Sequence, residues 1–394
     1  MNTADRIPPW RGIARHSGHR RSEVGPIELY FDLVYVFAII QLSHLLLDQL
    51  TWRGFAETAV VFAALWWGWN YTAWAMNWLN PANSRVQLLN VVLMVATLGM
   101  AVSLPEAFGD AGLLFAGCFV FMGLVRPLFM IVGFWGQQLA ANYTALLSWS
   151  ALAGVFWIAG AVLPSELRLW LWLIAVLIDY AAPLVNFRIP GLVSAPMERW
   201  DTDAEHLAER NRLVFIIALG ESILLMGGAV AATEILNTTT LLSLLLGFAG
   251  LTVLWWNYFA LAGHDVTGGE GGTGALRFAF AYAHALMVFG AILVAVSIEL
   301  RVTHEHLSLP MILVTVGGPL VYLAGNVLFL RSRFGRIARS RFVAALVLVL
   351  IGAIAAAARE DVSPVLLSLA VLAVMATLAA LTARSRARST VLAR

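Results

Sequence analysis

The chain reads as an all-α, polytopic membrane protein with twelve transmembrane helices in two six-helix pseudo-repeats. Composition sets the class: 60% of the 394 residues are hydrophobic and 12% are charged. Globular chains run near about 45–50% and about 25%. The mean hydropathy is +0.81. A soluble chain cannot hide that much apolar surface, and disordered and fibrous classes are excluded with it. Segment length sets the architecture. Apolar stretches of roughly 20 residues suit helices that cross a bilayer core, whereas barrel strands would show about 10 residues of alternating pattern. Open sheets cannot stand in lipid, where every backbone group must be satisfied internally. Arginine placement then sets the topology.

Residues 1–27 form a basic tail carrying Arg6, Arg11, Arg15, Arg20 and Arg21. The tail looks superficially like a signal peptide. The apolar stretch behind it, however, contains Glu28 and Asp32 and exceeds the ~7–15 residues of a cleavable apolar region. It reads as a retained first span, 28–50. Spans at 55–75, 86–104, 111–133, 142–163 and 167–187 complete the first half, 28–187. A polar linker of mixed charge occupies 188–210. The second half, 211–383, holds spans at 211–232, 241–261, 275–299, 310–330, 340–358 and 363–383, and a basic tail, 384–394, follows. The Gly-rich stretch 268–274 makes a flexible loop. All 25 basic residues are arginine. With the N-terminus in the cytoplasm, 21 of them fall on the cytoplasmic side and only Arg53, Arg168, Arg301 and Arg359 lie outside. That follows the positive-inside rule and puts both termini in the cytoplasm; one missed helix would scramble the bias.

The two halves resemble each other. LVYVFAIIQLSHLLL (33–47) parallels RLVFIIALGESILLM (212–226). Trp66-Trp67 open WWGWNY in the second span as Trp255-Trp256 open WWNYFA in the eighth, and AVS recurs at 101–103 and 295–297. Six spans per half orient the repeats alike, an arrangement found among secondary transporters, whose sites lie at the repeat interface near the midplane.

Ionisable residues inside the spans are the candidate site. Each costs about 2.5–3.5 kcal/mol at the bilayer centre, so such groups face the bundle and mark pathways. In the first span Glu28, Asp32 and Tyr35 share one helical stripe. Glu28 and Asp32 are close enough to share a proton or a cation. Glu28 equally suits the first turn as a carboxylate on the positive end of the helix dipole; Asp32, a turn deeper, points to function. Gln41 and His44 lie on the opposite face, with His44 expected to pack. His206, Glu209 and Arg210 form a cluster expected at the cytoplasmic surface as interfacial salt bridges. Glu221, midway along LVFIIALGESILLMGGAV, is expected to handle a proton or ligand. Tyr282 and His284 in the ninth span suit a proton relay or a neutral histidine hydrogen-bonded between helices. Asp179 is expected to pair with Arg126 as a structural ion pair.

Fifteen tryptophans are many, five of them between Trp66 and Trp78. Interfacial belts account for most such residues, and an aromatic stacking surface for a ligand is the sharper alternative. Cys118 is the only cysteine, so no disulfide or cysteine metal site forms within the chain; it reads as a small buried apolar residue. His304-Glu305-His306 could ligate a metal, but isolated loop histidines seldom do. Neither metal nor cofactor is expected. Walker A, HExxH, GxSxG and Rossmann patterns are missing, which argues against an ATP-driven pump and a familiar hydrolase, and no catalytic residue is assigned.

These stretches resemble one family. PIELYFDLVYVFAIIQLSH (26–44) is similar to the opening motif of the bacterial low temperature requirement A (LtrA) family, which typically reads ELFFDLVFVFAI. HLAERNRLVFIIALGESIL (206–224) resembles its second hallmark, a His and a Glu-Arg ahead of FxIIxLGESI. WWNYF (255–259) and YAHALMVFG (282–290) resemble its later signatures, in order. Asn211 stands where the family usually has Gly, which touches only the start of the helix. The resemblance carries Glu28, Asp32, His206, Glu209, Arg210, Glu221, Tyr282 and His284 as motif positions. It implies a multi-pass protein of the bacterial inner membrane. The family name records growth in the cold, not a reaction.

The leading expectation is a proton-linked secondary transporter of a small molecule. Asp32 and Glu221 would carry the coupling proton or contact a cationic substrate, assisted by His284. An integral-membrane enzyme acting on a lipid or other hydrophobic substrate would use the same groups as acid and base. A non-catalytic protein for cold fitness, acting through assembly or lipid packing, would need none of them. Membrane lipids and a small molecule are the expected partners; nucleic acid is not, and the net charge of +2 says nothing about it.

Overall fold

In the computed structural model the described residues are 12–15, 23–189, 191, 200, 202–231, 238–262, 273–304 and 306–392. All regular structure among them is helical: α1 (Pro26–Asp48), α2 (Trp52–Met76), α3 (Ser84–Ser103), α4 (Gly112–Gly133), α5 (Gln138–Val162), α6 (Ser165–Leu184), α7 (Ala204–Ala231), α8 (Thr238–Ala262), α9 (Thr273–Arg277), α10 (His284–Thr303), α11 (Leu309–Phe334), α12 (Arg339–Ala357) and α13 (Pro364–Leu392). A π-helical turn, Phe278–Ala283, fuses α9 to α10. Among the described residues eleven helical segments are long and apolar enough to cross a membrane, with Gly274–Thr303 counting as one. The chain is a multi-pass membrane protein. The second span, expected at 55–75, is helical as α2 but stands outside those eleven, because WWGWNYTAWAM is aromatic and amide-bearing rather than aliphatic. Of the Gly-rich stretch expected as a loop, 268–274, residues 268–272 lie outside the described residues, and Thr273 and Gly274 begin α9 instead.

Two compact units make up the chain: Met1–Leu45 with Arg53–Arg210, and Leu46–Trp52 with Asn211–Arg394. In the first unit α2 is the core helix. Every residue from Ala64 to Met76 is buried, as expected of a helix packed on all sides. The tryptophan cluster therefore does not form a belt: Trp66, Trp67, Trp69 and Trp74 of α2, and Trp78 just beyond it, are all 9% exposed or less. Trp67 stacks on Tyr180 of α6 with ring centroids 3.9 Å apart. Helices α3, α4, α5 and α6 pack in chain order. On α3, Leu88, Val91, Val95, Leu98 and Val102 are exposed at alternating steps of three and four, an apolar stripe suited to lipid. The same helix buries Leu89, Leu93, Thr97 and Met100. Arg168, 7% exposed, donates to the carbonyls of Ala107, Gly109, Gly160 and Ala161 and so ties the connection after α3 to α6.

The basic tail is partly built into this unit. Ala14 pairs with Leu79 in an isolated antiparallel bridge. Arg15 N donates to Trp78 O at 2.8 Å and Asn80 N to Ile13 O at 2.7 Å. Ile13 is buried. His44, expected to pack, is instead exposed, and Cys118 is half-buried rather than buried.

In the second unit the core helix is the segment Gly274–Thr303, whose most apolar window is 89% buried. It packs against α11 and α8, and α13 packs against α8. Glycine permits the close approach of α10 to α11. A Cβ at Gly290 would lie 2.6 Å from Tyr322 N and 2.7 Å from Gly318 O, too close for any side chain. Helix α11 is capped at both ends. Ser308 accepts from Met311 N, and Gly335 takes φ +61° at the C-terminal end. The tryptophan pairs matched in sequence differ in setting, since Trp255 and Trp256 are 46% and 53% exposed.

Candidate functional site

The site assembles at the start of α1. Gly25 precedes Pro26, which fits the first helical position because its missing N–H needs no partner there. Glu28 reaches back, and its Oε2 accepts from Gly25 N at 2.8 Å. That is one half of a capping box. One turn on, Asp32 sets a second carboxylate on the same stripe; both acids are 0% exposed and Tyr35 is 3% exposed.

Helix α7 supplies the partners. Asp203 caps it, its Oδ1 accepting from the N–H groups of Glu205 (3.0 Å) and His206 (3.1 Å). The cap starts the helix at Ala204, within the stretch expected as linker, and brings His206 and Arg210 onto one buried face a turn apart. The two were expected at an exposed interface; both are 0% exposed. Glu209 between them is partly exposed.

Three further contributions close the cluster. His206 Nε2 lies 3.1 Å from Glu28 Oε1. Arg210 Nη2 donates to Asp32 Oδ1, and its Nη1 stands 3.6 Å from Glu28 Oε1. From α2, Trp69 Nε1 donates to the same Asp32 oxygen at 2.7 Å, and the Arg210 guanidinium lies 5.7 Å from the Trp69 ring centroid. From the tail, Arg15 Nη2 donates to Glu28 Oε1 at 3.0 Å, and its Nε is held by Leu79 O at 3.1 Å. Burial lowers the Arg15 pKa from its ordinary value, and neighbouring Glu28 opposes the shift.

The proton on His206 follows from its neighbour. Asn77 Oδ1 accepts from Asp203 N at 2.7 Å and Asn77 Nδ2 donates to Asp203 O at 2.9 Å, which fixes the amide orientation. The same Nδ2 lies 3.2 Å from His206 Nδ1. Nδ1 must accept, so the proton of a neutral ring sits on Nε2 and points at Glu28. The cluster then holds two guanidinium cations, two carboxylates and a neutral imidazole, a balanced set. Adding or removing one proton leaves net charge in a low-dielectric interior. Among the described residues Asp32 Oδ2 and Arg210 Nε have no hydrogen-bond partner. Each such buried orphan costs about 1–3 kcal/mol and calls for an explanation. The arrangement can exchange a proton between Glu28 and His206, while Arg210 stands between Glu28 and Asp32 and faces both carboxylates.

The remaining expected residues lie elsewhere. Asp179 and Arg126 line one small cavity of about 20 Å³ in the first unit, room for a single water. Among the described residues no ion pair within 4 Å joins them. Arg126 Nη1 donates instead to Gly68 O (3.1 Å) and Thr72 Oγ1 (2.9 Å), and the guanidinium lies 5.2 Å from the Tyr71 ring centroid. The expected structural pair is thus replaced by bonds to α2, whose kept carbonyl and hydroxyl sit within reach of the arginine. In the second unit His284 Nδ1 is 2.7 Å from Ala279 O in the π-turn and Nε2 is 2.9 Å from Tyr258 Oη. The carbonyl fixes the ring proton on Nδ1, and the tyrosine donates to Nε2. Phe215 stacks on Tyr258 at 3.9 Å. Tyr282 is half-buried and packs on Phe278. Glu221 belongs to α7, but its side chain lies outside the described residues. Glu305 of the His304-Glu305-His306 stretch is likewise outside them, and no group of three His, Cys, Asp or Glu able to hold a metal occurs among the described residues. Sequence reasoning missed Arg15, Trp69, Asn77 and Asp203. Only Asp203 carried a signal, as a capping residue ahead of an apolar run.

The family described as Bacterial low temperature requirement A protein (LtrA) matches residues 23–380. An uncharacterized protein of Rhizobium meliloti (strain 1021) is 36% identical over 308 residues, which covers 76% of this chain and 75% of that protein. No solved structure matches the chain.

Proposed function

The chain belongs to the bacterial low temperature requirement A family, and from that premise we propose that it is a proton-linked secondary transporter of a small molecule in the bacterial inner membrane. The observation that carries the reading is the charge-balanced cluster of Glu28, Asp32, His206 and Arg210, all fully buried, with the partly buried Arg15, in a membrane protein. Structure alone does not need four buried charges, because well-packed apolar residues serve as well or better. A cluster whose balance shifts with one proton suits coupling, as intramembrane acids and histidines do in pumps and transporters. Asp32 and Glu28 carry the proton in this reading and His206 joins them; Glu221, His284 and Tyr282 are assigned to proton or substrate handling. Twelve spans in two like-oriented halves, with both termini in the cytoplasm, agree with the 21-to-4 arginine split.

The test is proton movement in proteoliposomes loaded with a pH-sensitive dye and challenged with fractionated metabolite pools. A pool-dependent flux in the wild type that is lost in Glu221→Gln supports the reading. Absence of flux with every pool sinks it and turns attention to lipid extracts as substrate.

A further inference from the structure

The second unit buries an arginine without a counter-ion. Arg301, on the last turn of α10, is 7% exposed. Its Nη2 donates to one carbonyl, Ser243 O, at 2.9 Å, and among the described residues its Nε has no partner. None of the ion pairs among the described residues involves it. The contrast with Arg168 of the first unit is direct: that guanidinium, equally buried, donates to four carbonyls. A buried cation left uncompensated is costly, and a protein that keeps one has a use for it.

Arg301 lines a cavity of about 50 Å³ between α8, α10, α11 and α13, together with Ser297, Thr315 and Ser368. Ser297 donates its hydroxyl proton to Val294 O at 2.7 Å. Thr315 and Ser368 are 5% and 9% exposed and make no hydrogen bond to a described residue, so both hydroxyl protons are available to a guest. The remaining wall is aliphatic, with Gly250 opening onto free space. One positive charge, two free hydroxyl donors and no carboxylate make a site for an anion. The volume admits a few waters or one small monovalent ion, and is too small for a phospholipid headgroup with its glycerol.

We propose that Arg301, Thr315 and Ser368 form a binding site for a small monovalent inorganic anion of halide or nitrate size. The site does not depend on the transport reading. It would hold equally if the protein carried nothing, as a structural anion site that neutralises Arg301.

The test is the chloride NMR linewidth of the full-length protein in detergent micelles, titrated at constant ionic strength. Wild type should broaden the line saturably, and bromide and nitrate should displace the effect. Two variants should lose it. Arg301→Gln removes the charge, and Gly250→Leu fills the cavity while leaving the arginine in place, so the second variant decides if the first fails to fold. Unchanged broadening in both variants, or no saturable broadening in wild type, overturns the proposal. So does displacement by phosphatidylglycerol but not by bromide or nitrate, which would make the ligand a lipid phosphate.

Discussion

Removing the Arg210 guanidinium should be the most damaging single change in the buried cluster. At 3.6 Å from Glu28 Oε1, its attraction to that acid alone is about 5 kcal/mol at an effective dielectric constant of about 20. The contact with Asp32 is closer. Part of this is offset by the desolvation already spent on burying the charges. What Arg210→Gln leaves behind is Asp32 buried with one neutral donor, Trp69. Losses on breaking such pairs run to about 3–5 kcal/mol, and that is the expected cost. Asp32→Asn should cost less, about 1–3 kcal/mol. The amide oxygen still accepts from Trp69, and Arg210 keeps Glu28. Combining the two removes one charge of each sign, so the double variant should fall short of the summed costs by about 1–3 kcal/mol. The assay is reversible unfolding in mixed micelles with rising dodecyl sulfate, followed by tryptophan fluorescence. Additivity within about 0.5 kcal/mol, or a costless Arg210→Gln, would refute the reasoning, because either result means the carboxylates do not hold the guanidinium.

Asn77→Ala should cost about 2–3 kcal/mol in the same assay, since it deletes three bonds that fix the start of α7 and the His206 ring; a neutral outcome would void the assigned ring proton. Gly290→Ala should lower the thermal midpoint, because its Cβ would strike backbone atoms of α11. Gly250→Ala, with nothing within 4 Å of its Cβ, should leave the midpoint in place. Tyr258→Phe should cost about 1–3 kcal/mol by stripping His284 Nε2 of its donor, and loss of nothing would show that the ring has another partner.

Local physics was legible in the sequence and long-range pairing was not. Hydropathy over a window of helical length found the segments, since each apolar run must bury its own backbone bonds in lipid. It placed the start of the seventh helix too late, because two polar residues there, His206 and Arg210, face a buried cluster rather than water. Hydropathy also misjudged α2: tryptophan in quantity suggests a belt, yet here a single helix enclosed by its neighbours turns its aromatics from Phe62 to Trp74 inward. The Glu28–Asp32 stripe could be read from a spacing of four. Their partners could not, as Arg210 comes 178 residues later than Asp32 and Arg15 looked like one topological charge among five. Asp179 and Arg126 show the limit from the other side. Two opposite charges in the fourth and sixth spans invited an ion pair, but Arg126 bonds instead to the backbone carbonyl of Gly68 and the hydroxyl of Thr72.

In the proposed transport cycle Asp32 carries the coupling proton rather than merely anchoring α7. Proton flux into proteoliposomes should be compared for wild type, Asp32→Asn and Asp32→Glu, each first shown to be folded. Asp32→Asn should abolish substrate-driven flux, while Asp32→Glu, which keeps a titratable carboxyl beside Arg210, should retain a measurable part of it. Full flux in folded Asp32→Asn would contradict the claim outright.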